Sequence, residues 1–227
     1  MTARPTHLAR QAFWTLLALG LLGGAGHAAT VQVTVLARDG KPLPDAVVII
    51  EPAQTPAAAT TPTLTPVQTH IAQQKMQFVP ALSVVPLGST VVFTNLDGWE
   101  HHVRGISGSL AGVSAAPSSG FEFRLGGRVE GRTAESTTVT LSQAGPLQLG
   151  CHLHGSMRAS VYVADSPWVV KTSADGVALL PNVPEGAARV RVWHAEQLLE
   201  ATPTAITVGP VTTVNVPTRI TPRRRRL

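Results

Sequence analysis

Short apolar runs recur along the whole chain, and the polar positions between them set their period. STVVFTN (89–95) alternates cleanly, with Val91 and Phe93 opposed to Val92 and Thr94, which is the pattern of a half-buried strand. VQVTVL (31–36) and AVVII (46–50) are β-branched runs on either side of DGKPLPD (39–45), whose Gly and prolines mark a tight connection. PAQTPAAATTPTLTP (52–66) holds Pro, Ala and Thr with too little apolar bulk for a core, and reads as a stiff linker or long loop.

Strands resume from Met76, in FVPALSVVP (78–86), STVVFTN, HHVRGIS (101–107), FEFRL (121–125), STTVTLS (136–142), PLQLG (146–150) and ASVYVA (159–164). A last group comprises VVKT (169–172), VALL (177–180), ARVRVWH (188–194), AITV (205–208) and VTTVNV (211–216). Residues 108–120 form a small-residue loop, and no amphipathic helix of ten residues stands out beyond the first segment. The expected fold class is all-β, a sandwich or barrel protein.

The first 28 residues are set apart from this pattern. Arg4, His7 and Arg10 precede an apolar run at 12–26, and small residues follow at Gly26 and Ala28. That order describes a secretory signal peptide cleaved after Ala28, which implies an exported, periplasmic protein. The run is shorter than the roughly 20 residues a membrane-spanning helix needs, and no later stretch would span a bilayer.

Charge excludes a further class. The formal net charge is +5, but Arg223, Arg224, Arg225 and Arg226 form a terminal tail, and Arg4 and Arg10 lie in the signal segment. Without those six, twelve of the 18 Lys and Arg remain against 13 acidic residues, so the body is close to neutral. A basic nucleic-acid-binding face is therefore not expected.

A single cysteine, Cys151, rules out an intramolecular disulfide framework. In an exported chain it signifies an intermolecular bridge, a reactive thiol, or a thiolate held by a metal. Its neighbours favour the metal. GCHLHGSM (150–157) sets Cys151, His154 and Met157 three residues apart, a thiolate, an imidazole and a thioether suited to copper. A trigonal site of two His and one Cys with a weak axial Met needs a second His, and NLDGWEHHV (95–103) offers His101 and His102. Neighbours in a strand face opposite ways, so only one of the pair can serve. His152 should point away from Cys151 for the same reason. His70 and His194 are isolated, and Trp168 and Trp193 read as packing residues.

FTNLDGWEHHV followed by GCHLHGSM resembles the cupredoxins, the plastocyanin and amicyanin family of small copper electron carriers. In that family an Asn precedes the first His ligand by six positions, and Asn95 to His101 keeps that distance. With VWH (192–194) and the DGKPLPDAVV opening, the chain looks most similar to exported cupredoxin-fold proteins of the methylamine utilisation type. The resemblance implies one copper per chain, cycling between Cu(I) and Cu(II), with His101, Cys151, His154 and Met157 as ligands. It also implies one-electron transfer with periplasmic redox partners and no catalysis; a copper-delivery module is the alternative. The loop departs from those relatives at Gly155 and Ser156, where an acidic residue and Trp are common.

VQVTVLARDGKPLPDAVVII (31–50) also resembles the first hairpin of prealbumin-like, carboxypeptidase-regulatory modules, whose continuation reads as VVKTSADGVALLPNVPEGAARVRVWH (169–194). The expected order is a signal peptide (1–28), the first part of a prealbumin-like β-domain (29–51), a linker (52–66), a Greek-key cupredoxin sandwich (67–165), the remainder of the β-domain (166–217) and a basic tail (218–227).

Overall fold

The computed structural model describes residues 28–54, 61–107 and 120–222. The expected signal segment up to residue 27, part of the expected linker, most of the expected 108–120 loop and residues 223–227 lie outside the described residues. Among the described residues every regular element of more than a turn is a strand, and no helix is long and apolar enough to cross a membrane.

The described residues form sixteen strands in four sheets. The first sheet pairs β1 (Ala28–Leu36) antiparallel with β13 (Val177–Pro184) and parallel with β16 (Val211–Pro217). The second sets β2 (Val47–Pro52) between β12 (Val169–Lys171) and β14 (Gly186–Trp193), with β15 (Thr204–Val208) beyond. These two sheets enclose one core, in which Val31, Val33 and Val35 of β1 alternate inward to meet Val48 and Ile50 of β2 and Val190 of β14. Every named partner of β1 and β2 therefore lies after residue 168.

The intervening chain builds a second pair of sheets. One orders β4 (Gln77–Val79), β3 (Gln68–Gln74), β6 (Thr90–Asn95) and β9 (Ser136–Thr140). The other orders β5 (Leu82–Pro86), β11 (Arg158–Ala164), β10 (Gly145–Cys151), β7 (His101–Ser107) and β8 (Phe121–Leu125). Val91 and Phe93 of β6 face this second core, with Leu147 and Leu149 of β10 and Val161 and Val163 of β11 opposite.

β2 and β11 explain how the two sandwiches meet. Val47 and Ile49 point away from the core that Val48 and Ile50 fill, while Tyr162 and Ala164 point away from the core that Val161 and Val163 fill. These outward residues pack together with Leu82, Val169 and Trp193 in a third apolar cluster. Fully burying a side chain of this size contributes about 1.5–3 kcal/mol, so both strands gain from burial on two faces. Their sequences, VVII and ASVYVA, are accordingly continuous rather than alternating.

Two elements differ from the sequence expectation. β3 lies where strands were not expected before Met76. Its sequence QTHIAQQ is polar, and only Ile71 and Gln73 are buried, so hydropathy conceals it. The run FVPALSVVP is two strands, because the chain leaves one sheet at Val79 and joins the other at Leu82.

Candidate metal centre

β7 and β10 are antiparallel neighbours with Cys151 opposite Val103. Inward alternation along β10 buries Leu147, Leu149 and then Cys151 at its end, and the same alternation buries His101 at the start of β7. The chain then turns back through 152–157 into β11, with the Met157 N–H donating to the His154 carbonyl at 2.9 Å. This tight turn brings His154 to Cys151.

Three donor atoms converge. His101 Nδ1 lies 3.7 Å from Cys151 Sγ, His154 Nδ1 lies 3.6 Å from that sulfur, and the two Nδ1 atoms are 3.1 Å apart. These edges suit three donors each about 2.0–2.3 Å from a common point, the range of metal–imidazole and metal–thiolate bonds. His101 is fully buried, Cys151 is 7% exposed and His154 is half-buried. Among the described residues this is the group of three His, Cys or acidic side chains with converging ligand atoms. Met157 ends the loop at 1% exposure, in the core cluster that also contains Cys151.

The residues around His101 fix its ring. Its Nε2 sits 2.9 Å from Asp97 Oδ2, so Nε2–H donates to the carboxylate and Nδ1 presents its lone pair to the sulfur. Asp97 is held in turn by the Lys75 N–H at 2.6 Å and the Met76 N–H at 3.0 Å. Lys75 and Met76 form the two-residue turn between β3 and β4, both with left-handed backbone (φ 53° and 56°). Such strain costs about 1–3 kcal/mol per residue. Hydrogen bonds to a charged group contribute about 1.5–3 kcal/mol each, so the Asp97 carboxylate offsets it. Burial pushes the Asp97 carboxyl up, but the bonds from Met76, His101 and Lys75 outweigh it and hold the group below its ordinary value.

Asn95 shapes the loop that carries Asp97. Its Oδ1 accepts the Asp97 N–H at 2.9 Å, while Nδ2 donates to the carbonyls of Trp99, Leu125 and Gly126 at 2.8, 3.1 and 2.9 Å. One buried amide thus ties the 95–99 loop to the end of β8. Gly127 lets the chain pass close over this loop, since a Cβ there would stand 2.4 Å from the Gly98 carbonyl oxygen.

The structure thus brings together His101, Cys151 and His154, with Met157 at the end of the same loop. His102 occupies the opposite face of β7, where it stacks on His152 and pairs with Glu122. His70 is exposed on β3, whereas His194 is buried and accepts the Glu196 N–H through Nδ1. Trp168 and Trp193 are buried, Trp168 donating its Nε1–H to the Asn182 carbonyl. Asp97 was not anticipated from the sequence. Its signal was a carboxylate four residues before a His ligand in a Gly-containing loop, visible only once that His is assigned.

No family model matches the chain, and no curated protein matches it either. Solved structures do. Amicyanin from Paracoccus versutus aligns at 20% identity and a TM-score of 0.34, over 51% of this chain and 97% of that one. Auracyanin from Roseiflexus castenholzii aligns at 20% and 0.32, over 43% and 96%. A copper-containing nitrite reductase from Thermus scotoductus aligns at 20% and 0.35, over 58% of this chain but only 28% of that one.

Proposed function

We propose that the protein is an exported cupredoxin that carries one electron at a time on a single type 1 copper. His101, Cys151 and His154 would be the strong ligands and Met157 the weak axial one. The observation that carries this reading is the buried triangle of one thiol and two Nδ1 atoms, with His101 already oriented by Asp97. A soft thiolate with two imidazoles is the donor set of such a site.

Copper held there would supply a one-electron couple between Cu(I) and Cu(II). The chain's part is to hold the donors still. Cys151 and His101 sit at the ends of paired strands, and His154 is fixed by the turn to Met157. Rigid donors keep the change between oxidation states small, which lowers the barrier to electron exchange. His154 is the most accessible of the three donors, so the electron would enter and leave through its edge, where periplasmic redox proteins dock.

VWH (192–194) and the DGKPLPDAVV opening, taken with the Cys-x-x-His-x-x-Met spacing, support placement with the methylamine utilisation type of cupredoxin-fold proteins, and the 1–28 segment supports export. The pairing of β1 and β2 with strands after residue 168 supports a cupredoxin domain inserted into a prealbumin-like β-domain. Reconstituting the purified chain with Cu(II) tests the reading. One copper per chain and an intense visible thiolate-to-copper band are expected. Tight copper binding without that band would favour a delivery module instead.

A further inference from the structure

Back to back with the converging donors, on the outer face of the same sheet, lies a second group of side chains of metal-ligating type. His102 of β7 and His152, just past the end of β10, are cross-strand neighbours, and the His152 N–H donates to the His102 carbonyl at 3.0 Å. Their rings stack with centroids 4.8 Å apart and planes 27° from parallel. Glu122 of β8 reaches the pair diagonally, its Oε1 2.5 Å from His102 Nε2.

We propose that His102, His152 and Glu122 form a second, surface site for a divalent first-row transition metal. Two imidazoles and a carboxylate suit zinc or Cu(II), and the absence of a thiolate distinguishes the site from the buried centre. The geometry carries the proposal in three ways. Strand alternation that sends His101 and Cys151 inward necessarily sends His102 and His152 outward together. Side chains directly across a strand pair stand about 4.5–5.5 Å apart at Cβ, a span one ion can bridge. His152 is exposed and Glu122 is half-exposed, so both can turn their donor atoms toward an ion without disturbing the core. Arg124, opposite His102, is engaged by Glu100, and Arg104 stands opposite Glu122 in the register. The stacked rings and the His102–Glu122 pair are then the resting arrangement, from which His152 swings to complete the site.

The test is calorimetric titration of the copper-loaded, reduced protein with Zn²⁺, comparing the parent with His152→Ala and with Glu122→Gln. Both changes are on exposed side chains, so both variants should fold. One zinc per chain is expected in the parent, and each variant should weaken it about tenfold or more, since even the loss of an outer partner of a metal ligand costs that much. The visible band of the reoxidised protein should be unchanged by zinc. Absence of zinc binding in the parent, zinc affinity in both variants equal to the parent's, or bleaching of the band by zinc would each overturn the proposal. The readout is the difference between parent and variants, so it stands whether or not the buried site cycles electrons.

Discussion

His101 Nε2 and Asp97 Oδ2 are 2.9 Å apart in a buried pocket, and this pair links the converging His101, Cys151 and His154 donors to the β3–β4 turn through the N–H groups of Lys75 and Met76. The carboxylate thereby sets the His101 tautomer and satisfies a strained turn at once.

Replacing Asp97 with Asn keeps the shape but removes the charge. The loss of a negative group beside the site should favour Cu(I), and voltammetry should show a higher reduction potential. The metal-free protein should also lose about 1.5–3 kcal/mol in chemical denaturation, the range for hydrogen bonds to a charged acceptor. A potential and a stability both equal to the parent's would show that the pair does neither.

Cys151→Ser removes the thiolate that the visible band would come from. The variant should still fold, because a buried Cys behaves as a small hydrophobe and Ser is close in size. Its copper-loaded absorption spectrum should lack the band, and an intact band would assign the colour to another residue.

Met157→Leu should retain copper and raise the reduction potential, because a weak thioether stabilises Cu(II) more than a hydrocarbon does. The swap conserves volume at a buried position, so denaturation should register a change of less than about 1.5 kcal/mol. Loss of copper, or an unmoved potential, would count against an axial role.

Trp193→Ala tests the junction between the sandwiches. Trp193 is 8% exposed and packs on Tyr162 with ring centroids 5.6 Å apart. Removing a buried Trp costs about 3–5 kcal/mol, and the thermal midpoint should fall accordingly. The visible band should survive, because the cluster lies on the face of β11 away from the core that holds Cys151.

The sequence was most legible where one strand face meets water. β6 alternates, and its buried positions are the ones its pattern marks. The His101–His102 choice follows the same logic, since alternation alone requires that only one enter the site. Double burial hides the period in β2 and β11, so the VVII run identifies a strand without showing that its second face carries a junction. β3 was illegible because its exposed face is polar and one of its inward residues, Gln73, is polar too. Asp97 was illegible for a different reason. A carboxylate in a loop has no pattern of its own, and its role arises only when folding brings Lys75, Met76 and His101 around it.

The central claim, one-electron cycling at the buried triangle, is tested most directly by optical titration of the copper-loaded protein with ascorbate and then ferricyanide. The account predicts an intense visible band that bleaches with one electron per chain and returns in full over repeated cycles. A colourless copper-loaded protein, or a band that does not return, would contradict it.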